Sequence, residues 1–280
     1  MTIGITGATG QLGRLAVSAL KARVPAGRIV ALVRDPAKAA DLGVAVRVFD
    51  YSAPDAAALQ GIEVLVLISS SSFDDRAGDH RRVIEAAKAA GVKRIVYTGI
   101  LKGAASPMLI SQDHIATEAA LRASGVPFTL LRNGWYIENK TGALAGAIAA
   151  GALIGSAGGG RFSAAARNDF AEAIAVVASE GGHEGQAYEL AGDASFTMAE
   201  LAAEVSKQVG KSISYNDLPP DVYAGILTGF GLPEGFAKVL ADSDVQAAKG
   251  ALFDDSRTLS ALIGRPTTPM AVVVAEALAG

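Results

Sequence analysis

Short apolar runs alternate with amphipathic stretches through the first half of the chain. The runs Ile3–Thr6, Arg28–Val33, Ala45–Phe49, Val64–Ile68, Arg94–Thr98 and Phe128–Arg132 are dominated by Val, Ile, Leu and other apolar residues. Near-continuous apolar strands of this kind are expected where helices cover both faces of a parallel sheet. Between them the spacing fits helices at Leu12–Ala22, Pro36–Asp41, Pro54–Leu59, Gly78–Ala90 and Ser111–Ser124. Strand–helix repetition predicts an α/β chain with a Rossmann-like, doubly wound parallel sheet.

After Arg132 the rhythm changes. Asn133 to Asn139 reads as a polar-aromatic loop, followed by a small-residue helix and the glycine cluster Gly155–Gly160. Asp169–Ser179 reads as a helix and Ala187–Leu190 as a further strand. Thr197 and Glu200 have the spacing of a capping box, opening a helix to about Val209. The remainder, with Pro219, Pro220, Pro233, Phe230 and Phe236, reads as a smaller, mainly helical C-terminal lobe. The expected organisation is a first domain over 1–135, with strand and helix returning from about 163–193. Residues 136–160 and 194–280 then form the smaller lobe, one wall of a substrate cleft.

Composition narrows this picture. The chain has 280 residues, half of them hydrophobic, enough for one large α/β domain with an appendage. Its apolar runs are too short, or too rich in glycine and alanine, to span a membrane, and the N-terminus has no secretory pattern. There is no cysteine, which excludes disulfides, zinc-thiolate sites and thiol nucleophiles and fits a cytoplasmic protein. A net charge of −3 without a basic stripe argues against nucleic acid as partner. His80, His114 and His183 lack metal-ligand spacing, so no metal is expected. Asp79, His80, Arg81 and Arg82 read as a solvated helix start. Interface helices look like any other amphipathic helix, so the pattern leaves the oligomeric state open.

The chemistry-bearing segment comes first. Strand Ile3–Thr6 runs into Gly7-Ala8-Thr9-Gly10-Gln11-Leu12-Gly13 and then a helix. Strand, glycine turn, helix is the context in which such a fingerprint means dinucleotide binding. Gly7 allows the tight turn, Gly10 lets backbone approach a pyrophosphate, and Gly13 lets the helix pack on the strand. Gly7, Ala8, Thr9, Gly10, Gln11 and Leu12 are therefore the expected phosphate contacts, with the helix N-terminus facing the anion. The spacing is G-x-x-G-x-x-G, the variant found in extended and atypical short-chain dehydrogenases.

A second signal ends the next strand, at Val33-Arg34-Asp35-Pro36. A carboxylate there suits the free ribose hydroxyls of NAD, and an arginine suits the 2′-phosphate of NADP. Asp35 ahead of Pro36 also reads as a helix N-cap, so Arg34 favours NADPH, with NADH left open. Asp50 and Tyr51 follow the third strand and are expected near the adenine. Ser69 and Ser70 follow the fourth and are expected against the nicotinamide-side ribose.

Thr6 to Gly13, Leu32-Val33-Arg34-Asp35, Ala86 to Lys93 and Leu130-Leu131-Arg132-Asn133-Gly134-Trp135-Tyr136 together resemble the NmrA-like atypical short-chain dehydrogenases/reductases. Within that group the chain is similar to the NAD(P)H:quinone oxidoreductase and triphenylmethane reductase type, over essentially its whole length. The resemblance implies a Rossmann-like domain, NADPH binding, and reduction of a quinone or similar flat conjugated acceptor.

Most short-chain dehydrogenases carry Tyr-x-x-x-Lys on the helix after the fifth strand, where lysine lowers the tyrosine's pKa. Aligning Glu118 with the glutamate usual in the group puts His114 at the lysine position and Ile110 at the tyrosine position. The pair is absent. Tyr136 and Lys140 have the spacing but follow the sixth strand, the wrong element. No catalytic residue is assigned, and His114 and Tyr136 are the candidates. His114 could bond the ribose or give a proton to the product, and it also reads as a helix-surface residue. Phe73, Met108, Asn133, Trp135, Tyr136 and Asn139 are the expected substrate contacts. Core packing explains Phe73 and Met108 equally well.

Three functions compete. The first is an NAD(P)H-dependent reductase that works by holding nicotinamide and acceptor face to face. The alternative is a non-catalytic NADP(H)-binding redox sensor of the NmrA type, consistent with the missing pair. A nucleotide-sugar epimerase or dehydratase would need the tyrosine that Ile110 replaces.

Overall fold

The computed structural model describes every residue except Phe73. In chain order the elements are β1 (Ile3–Thr6), α1 (Gln11–Lys21), β2 (Ile29–Val33), β3 (Ala45–Val48), β4 (Val64–Leu67), α2 (Arg76–Ala89), β5 (Arg94–Ile100), α3 (Ser111–Ser124) and β6 (Phe128–Asn133). There follow α4 (Glu138–Thr141), α5 (Leu144–Ala150), β7 (Ala152–Gly155), α6 (Arg167–Ser179), β8 (Ala187–Leu190), α7 (Met198–Val209) and β9 (Ser214–Asp217). The chain ends with α8 (Pro220–Gly229), α9 (Glu234–Ala248), α10 (Thr258–Ile263) and α11 (Met270–Ala279).

Two compact units form. The first comprises Met1–Gly103, Asp113–Asn133 and Asn168–Tyr188, and the second Ala104–Gln112, Gly134–Arg167 and Glu189–Gly280.

The main sheet has seven strands in the order β3-β2-β1-β4-β5-β6-β8. The pairs from β3 through to β6 are parallel, with registers such as Ile3↔Ile29, Ile3↔Val64, Val64↔Arg94 and Ile95↔Phe128. This is the doubly wound order, and it reverses direction between β1 and β4. The α/β expectation is correct, and its strands match to within one or two residues at their ends. Alternate strand residues point to opposite faces. On one face Leu65, Leu67, Ile95, Tyr97 and Leu130 pack against Val83, Ile84 and Ala87 of α2 and Leu121 of α3. Each such side chain contributes about 1.5–3 kcal/mol by leaving water.

Two expected helices shrink. Pro36–Ala39 and Ala56–Leu59 are single 3-10 turns, each started by an aspartate side chain, Asp35 on Ala37 N–H and Asp55 on Ala57 N–H. These crossovers hold too few residues with a continuous apolar stripe to nucleate longer helices.

The second unit is mainly helical, as expected, but also contains a two-stranded parallel sheet of β7 and β9. Thr197 and Glu200 form the capping box of α7, with both reciprocal hydrogen bonds present. Helices α8 and α9 form a hairpin around Tyr223, Ala224, Ala237 and Ala241. The Lys140 ammonium on α4 pairs with the fully buried Asp244 carboxylate on α9, whose other oxygen accepts the Ser156 N–H at 3.1 Å. Among the described residues, no helix is long and apolar enough to cross a membrane.

Candidate functional site

Residues following parallel neighbouring strands collect at one edge of the sheet. Here β1, β2, β3 and β4 end at Thr6, Val33, Val48 and Leu67. The segments beyond them, Gly7–Gly10, Arg34, Asp50–Tyr51 and Ser69–Ser70, therefore share the carboxyl edge. The glycine turn and the two serines flank the point where the strand order reverses, the usual ligand position in such sheets.

The glycine turn is built for close approach. Gly7 has φ +61°, a left-handed conformation that disfavours a side chain. Its carbonyl accepts the Gly10 N–H at 2.9 Å, closing the turn. A Cβ on Gly13 would overlap that carbonyl oxygen and lie 2.8 Å from Ala8 Cα, so helix α1 packs on the turn only with glycine there. A Cβ on Gly10 would meet nothing closer than the Gly7 oxygen at 3.2 Å. That one contact is tight but far milder than those at Gly13, and otherwise Gly10 leaves a cradle open. It is also the N-cap of α1, with no side-chain cap and no acidic residue in the first turn. The first N–H groups of an eleven-residue helix are left for an anion. This geometry fits a dinucleotide pyrophosphate.

Arg34 is exposed at the tip of β2. Asp35 is committed elsewhere, its Oδ1 accepting the Ala37 N–H at 3.0 Å. Asp50 Oδ1 accepts the Ser52 N–H and hydroxyl, both at 2.9 Å. The Ser52 amide, with the Arg34 charge as a smaller contribution, holds the Asp50 carboxyl below its usual range. The Tyr51 hydroxyl lies 2.7 Å from Thr6 Oγ1 and 2.8 Å from Ile68 O. Burial pushes its pKa up, so it stays neutral. Tyr51 thereby ties the end of β3 beneath the glycine turn to the end of β4.

The Ser69 and Ser70 loop rests on side chains that sequence reasoning missed. Ser69 N–H donates to Thr98 Oγ1 at 2.9 Å, and Ser70 N–H donates to His80 Nε2 at 2.9 Å. His80 is fully buried and Asp79 nearly so, which corrects the expectation of a solvated helix start there. The signal was available: His80, Val83, Ile84 and Ala87 recur at helical spacing on the buried face of α2.

His114 is buried rather than on the helix surface. Its Nδ1 lies 2.7 Å from the Tyr97 hydroxyl. Burial, reinforced by the Arg76 charge, lowers its pKa to about 3. It is a neutral imidazole, not a charged acid. Glu118, also buried, accepts Arg132 Nε and Nη2 at 2.8 Å each and Arg122 Nη2 at 2.8 Å.

The expected acceptor residues fare differently. Phe73 lies outside the described residues. Met108 is fully buried in the second unit, the packing alternative, and its carbonyl accepts the Ser111 N–H at 3.0 Å. Asn133 closes β6, its carbonyl accepting the Leu101 N–H at 2.9 Å. Trp135 is 9 % exposed, and its backbone and that of Ile137 are fixed by Ala165. Tyr136 is half-buried beneath the Arg167 guanidinium, 4.9 Å from the ring centre, and Arg167 also donates to Asn139 Oδ1 at 3.2 Å. Arg167 thus brings Tyr136 and Asn139 together. Lys140, at the lysine spacing from Tyr136, pairs with Asp244. Among the described residues, no group of His, Asp and Glu side chains could hold a metal ion.

A sequence model of the family described as NAD(P)H-binding matches residues 7–180. The chain is 53% identical to quinone oxidoreductase 2 of Escherichia coli over 279 residues, 98% of each chain. It superimposes on the crystal structure of NADPH-dependent quinone oxidoreductase QOR2 from E. coli, complexed with NADPH. The TM-score is 0.95 at 52% identity, covering 99% of this chain and 100% of that one. Against the Citrobacter sp. triphenylmethane reductase complexed with NADP(H) the TM-score is 0.93 at 36% identity, covering 99% and 100%. End-to-end alignment, the same architecture and an open glycine cradle converge: this chain belongs to the NAD(P)H-binding family, among atypical short-chain dehydrogenases/reductases of the quinone oxidoreductase and triphenylmethane reductase type.

Proposed function

We propose that this chain is an NADPH-dependent reductase whose acceptor is a quinone or a similar flat conjugated molecule. The observation that carries the reading is the uncapped glycine turn with its open Gly10 position. It occurs in a chain 53% identical, end to end, to a quinone oxidoreductase.

In this reading the backbone of Gly7, Ala8, Thr9, Gly10, Gln11 and Leu12 holds the pyrophosphate. Arg34 pairs with the 2′-phosphate, which separates NADPH from NADH. Asp50 and Tyr51 border the adenine, and Ser69 and Ser70 meet the ribose on the nicotinamide side. When bound, the cofactor supplies a hydride. The chain has Ile110 and a neutral, buried His114 where a tyrosine–lysine pair would act. A conjugated acceptor delocalises the negative charge it gains, so the proton can follow from water. What the protein contributes is orientation and exclusion of unproductive geometries. Trp135, Tyr136 and Asn139 are proposed for the acceptor, with the Tyr136 ring held by Arg167. A cytoplasmic setting belongs to the same proposal, in keeping with a chain that has no cysteine.

The test is nicotinamide absorbance with NADPH and NADH separately, with and without a benzoquinone, after subtracting the uncatalysed rate. Enzyme-dependent oxidation that favours NADPH supports the reading. The missing pair favours one alternative, a redox sensor of the NmrA type. NADP(H) binding without turnover on several quinones and dyes would move the assignment there. A sensor must also distinguish oxidised from reduced cofactor in affinity.

A further inference from the structure

The loop after β4 is gripped at successive peptide groups by buried side chains. Ser69 N–H is taken by Thr98, and Ser70 is held on both sides of its backbone. Its N–H donates to His80 Nε2 at 2.9 Å, while its carbonyl accepts from Arg76 Nε at 2.8 Å. Ser72 N–H then donates to Ser70 Oγ at 3.0 Å.

The direction of these bonds fixes the histidine tautomer. A peptide N–H can only donate, so His80 Nε2 accepts and the ring proton sits on Nδ1. That proton goes to Thr117 Oγ1 at 2.8 Å, and the threonine hydroxyl donates to Asp113 O at 2.7 Å. His80 is 0 % exposed and Arg76 5 %. Loops at a sheet edge ordinarily leave their backbone groups to water. Here an imidazole and a guanidinium are buried around one residue, at a cost in free energy that for Arg76 is partly offset by its ion pair with Asp113, Nη1 to Oδ2 at 3.4 Å. Among the described residues, neither side chain hydrogen-bonds the glycine turn or Arg34, and on that side the His80 ring meets only the Tyr51 ring, at 6.2 Å between centroids.

We propose that His80 and Arg76 are positioning residues for the nicotinamide half of the cofactor. By fixing Ser70 before any ligand arrives, they remove the ordering cost that a mobile loop would impose on binding. They leave the adenosine half, served by Arg34 and the glycine turn, unaffected. The inference rests on the reading that Ser69 and Ser70 meet the nicotinamide-side ribose.

The split between the two halves is the test. With the full chain, calorimetry measures Kd for NADPH and for adenosine 2′,5′-bisphosphate, which carries the 2′-phosphate but no nicotinamide. His80→Leu should weaken NADPH at least tenfold and the bisphosphate by less than twofold. His80→Gln, whose side-chain carbonyl can accept the Ser70 N–H, should bring NADPH back to within threefold. If His80→Leu does not fold, Thr117→Val loosens the ring while keeping volume, and should show the same split at about threefold. Equal weakening of both compounds, no weakening of either, or a His80→Gln variant no better than His80→Leu overturns the proposal. Wild-type turnover with a quinone tests the reductase reading separately. The ratio of the two Kd values tests the clamp whether or not turnover occurs, and a wild-type chain that binds neither compound would sink both.

Discussion

The Tyr97 hydroxyl on β5 and His114 Nδ1 on α3 lie 2.7 Å apart, and both side chains are buried. Burial raises the phenol's pKa, and burial together with the Arg76 charge lowers that of the imidazole to about 3. His80 is lowered to about 3 as well, by burial first and then by His114 and Arg76. Both histidines are therefore neutral when folded, whereas unfolded histidines take up a proton below about pH 6.5. Between about 6.5 and 3 the unfolded state binds more protons, so stability falls as the pH falls. The slope reaches about 1.4 kcal/mol per pH unit for each histidine. Urea unfolding at pH 7.5, 6 and 5 should show this loss, and His114→Gln should flatten it. An unchanged slope in that variant would contradict the burial account.

Gly10 and Gly13 differ sharply in what a side chain would meet within one turn. A Cβ on Gly13 runs into the Gly7 carbonyl and Ala8 Cα, whereas one on Gly10 finds its nearest neighbour at 3.2 Å. Gly13→Ala is expected to destabilise the chain by about 1–3 kcal/mol, as overpacking does. Gly10→Ala should cost less stability than Gly13→Ala and, if the turn holds the pyrophosphate as proposed, weaken NADPH by about tenfold or more. Thermal unfolding and cofactor titration of both variants check the contrast.

This turn is also where sequence and structure agree most fully. The glycines, the flanking strand and the helix are contiguous, so the pattern that reveals them is local. The same holds for α3 and for the capping box of α7, read from Thr197 and Glu200 alone. What the pattern missed is non-local. Strand β7 is four small or aliphatic residues beside an alanine-rich helix, and its partner β9 arrives only at Ser214. His80 looked solvated because Asp79, Arg81 and Arg82 surround it in sequence, although its helical face is apolar. Met108 was indistinguishable from a pocket residue, since a methionine reads the same in a core or in a cleft.

Arg34 is exposed and Asp35 is occupied as a cap, which supports the proposal that the guanidinium discriminates at the ribose. Arg34→Ala should raise the Kd for NADPH by about 10- to 100-fold, the worth of a charge-assisted pair with phosphate. NADH affinity should change little. Parallel titrations with the two cofactors measure this, and an equal loss for both would remove Arg34 from the phosphate role.

Glu118 joins α3 to β6 through Arg132 and is 1 % exposed. Burial alone would raise its pKa, but Arg132 and Arg122 hold it below the usual range. Glu118→Ala leaves the Arg132 guanidinium without this partner and should cost about 3–5 kcal/mol of stability. Chemical denaturation tests it, and a loss below 1 kcal/mol would mean that the arginines find other partners.

Hydride transfer from NADPH to a conjugated acceptor, as proposed for this chain, proceeds without a tyrosine–lysine pair. The direct measurement is initial-rate oxidation of NADPH by the purified chain with 1,4-benzoquinone, beside Gly10→Val, which should block the pyrophosphate approach. Saturable, enzyme-dependent oxidation is expected in the wild type, and its loss in the variant. Tight NADPH binding with no oxidation above background across quinones and triphenylmethane dyes would contradict it.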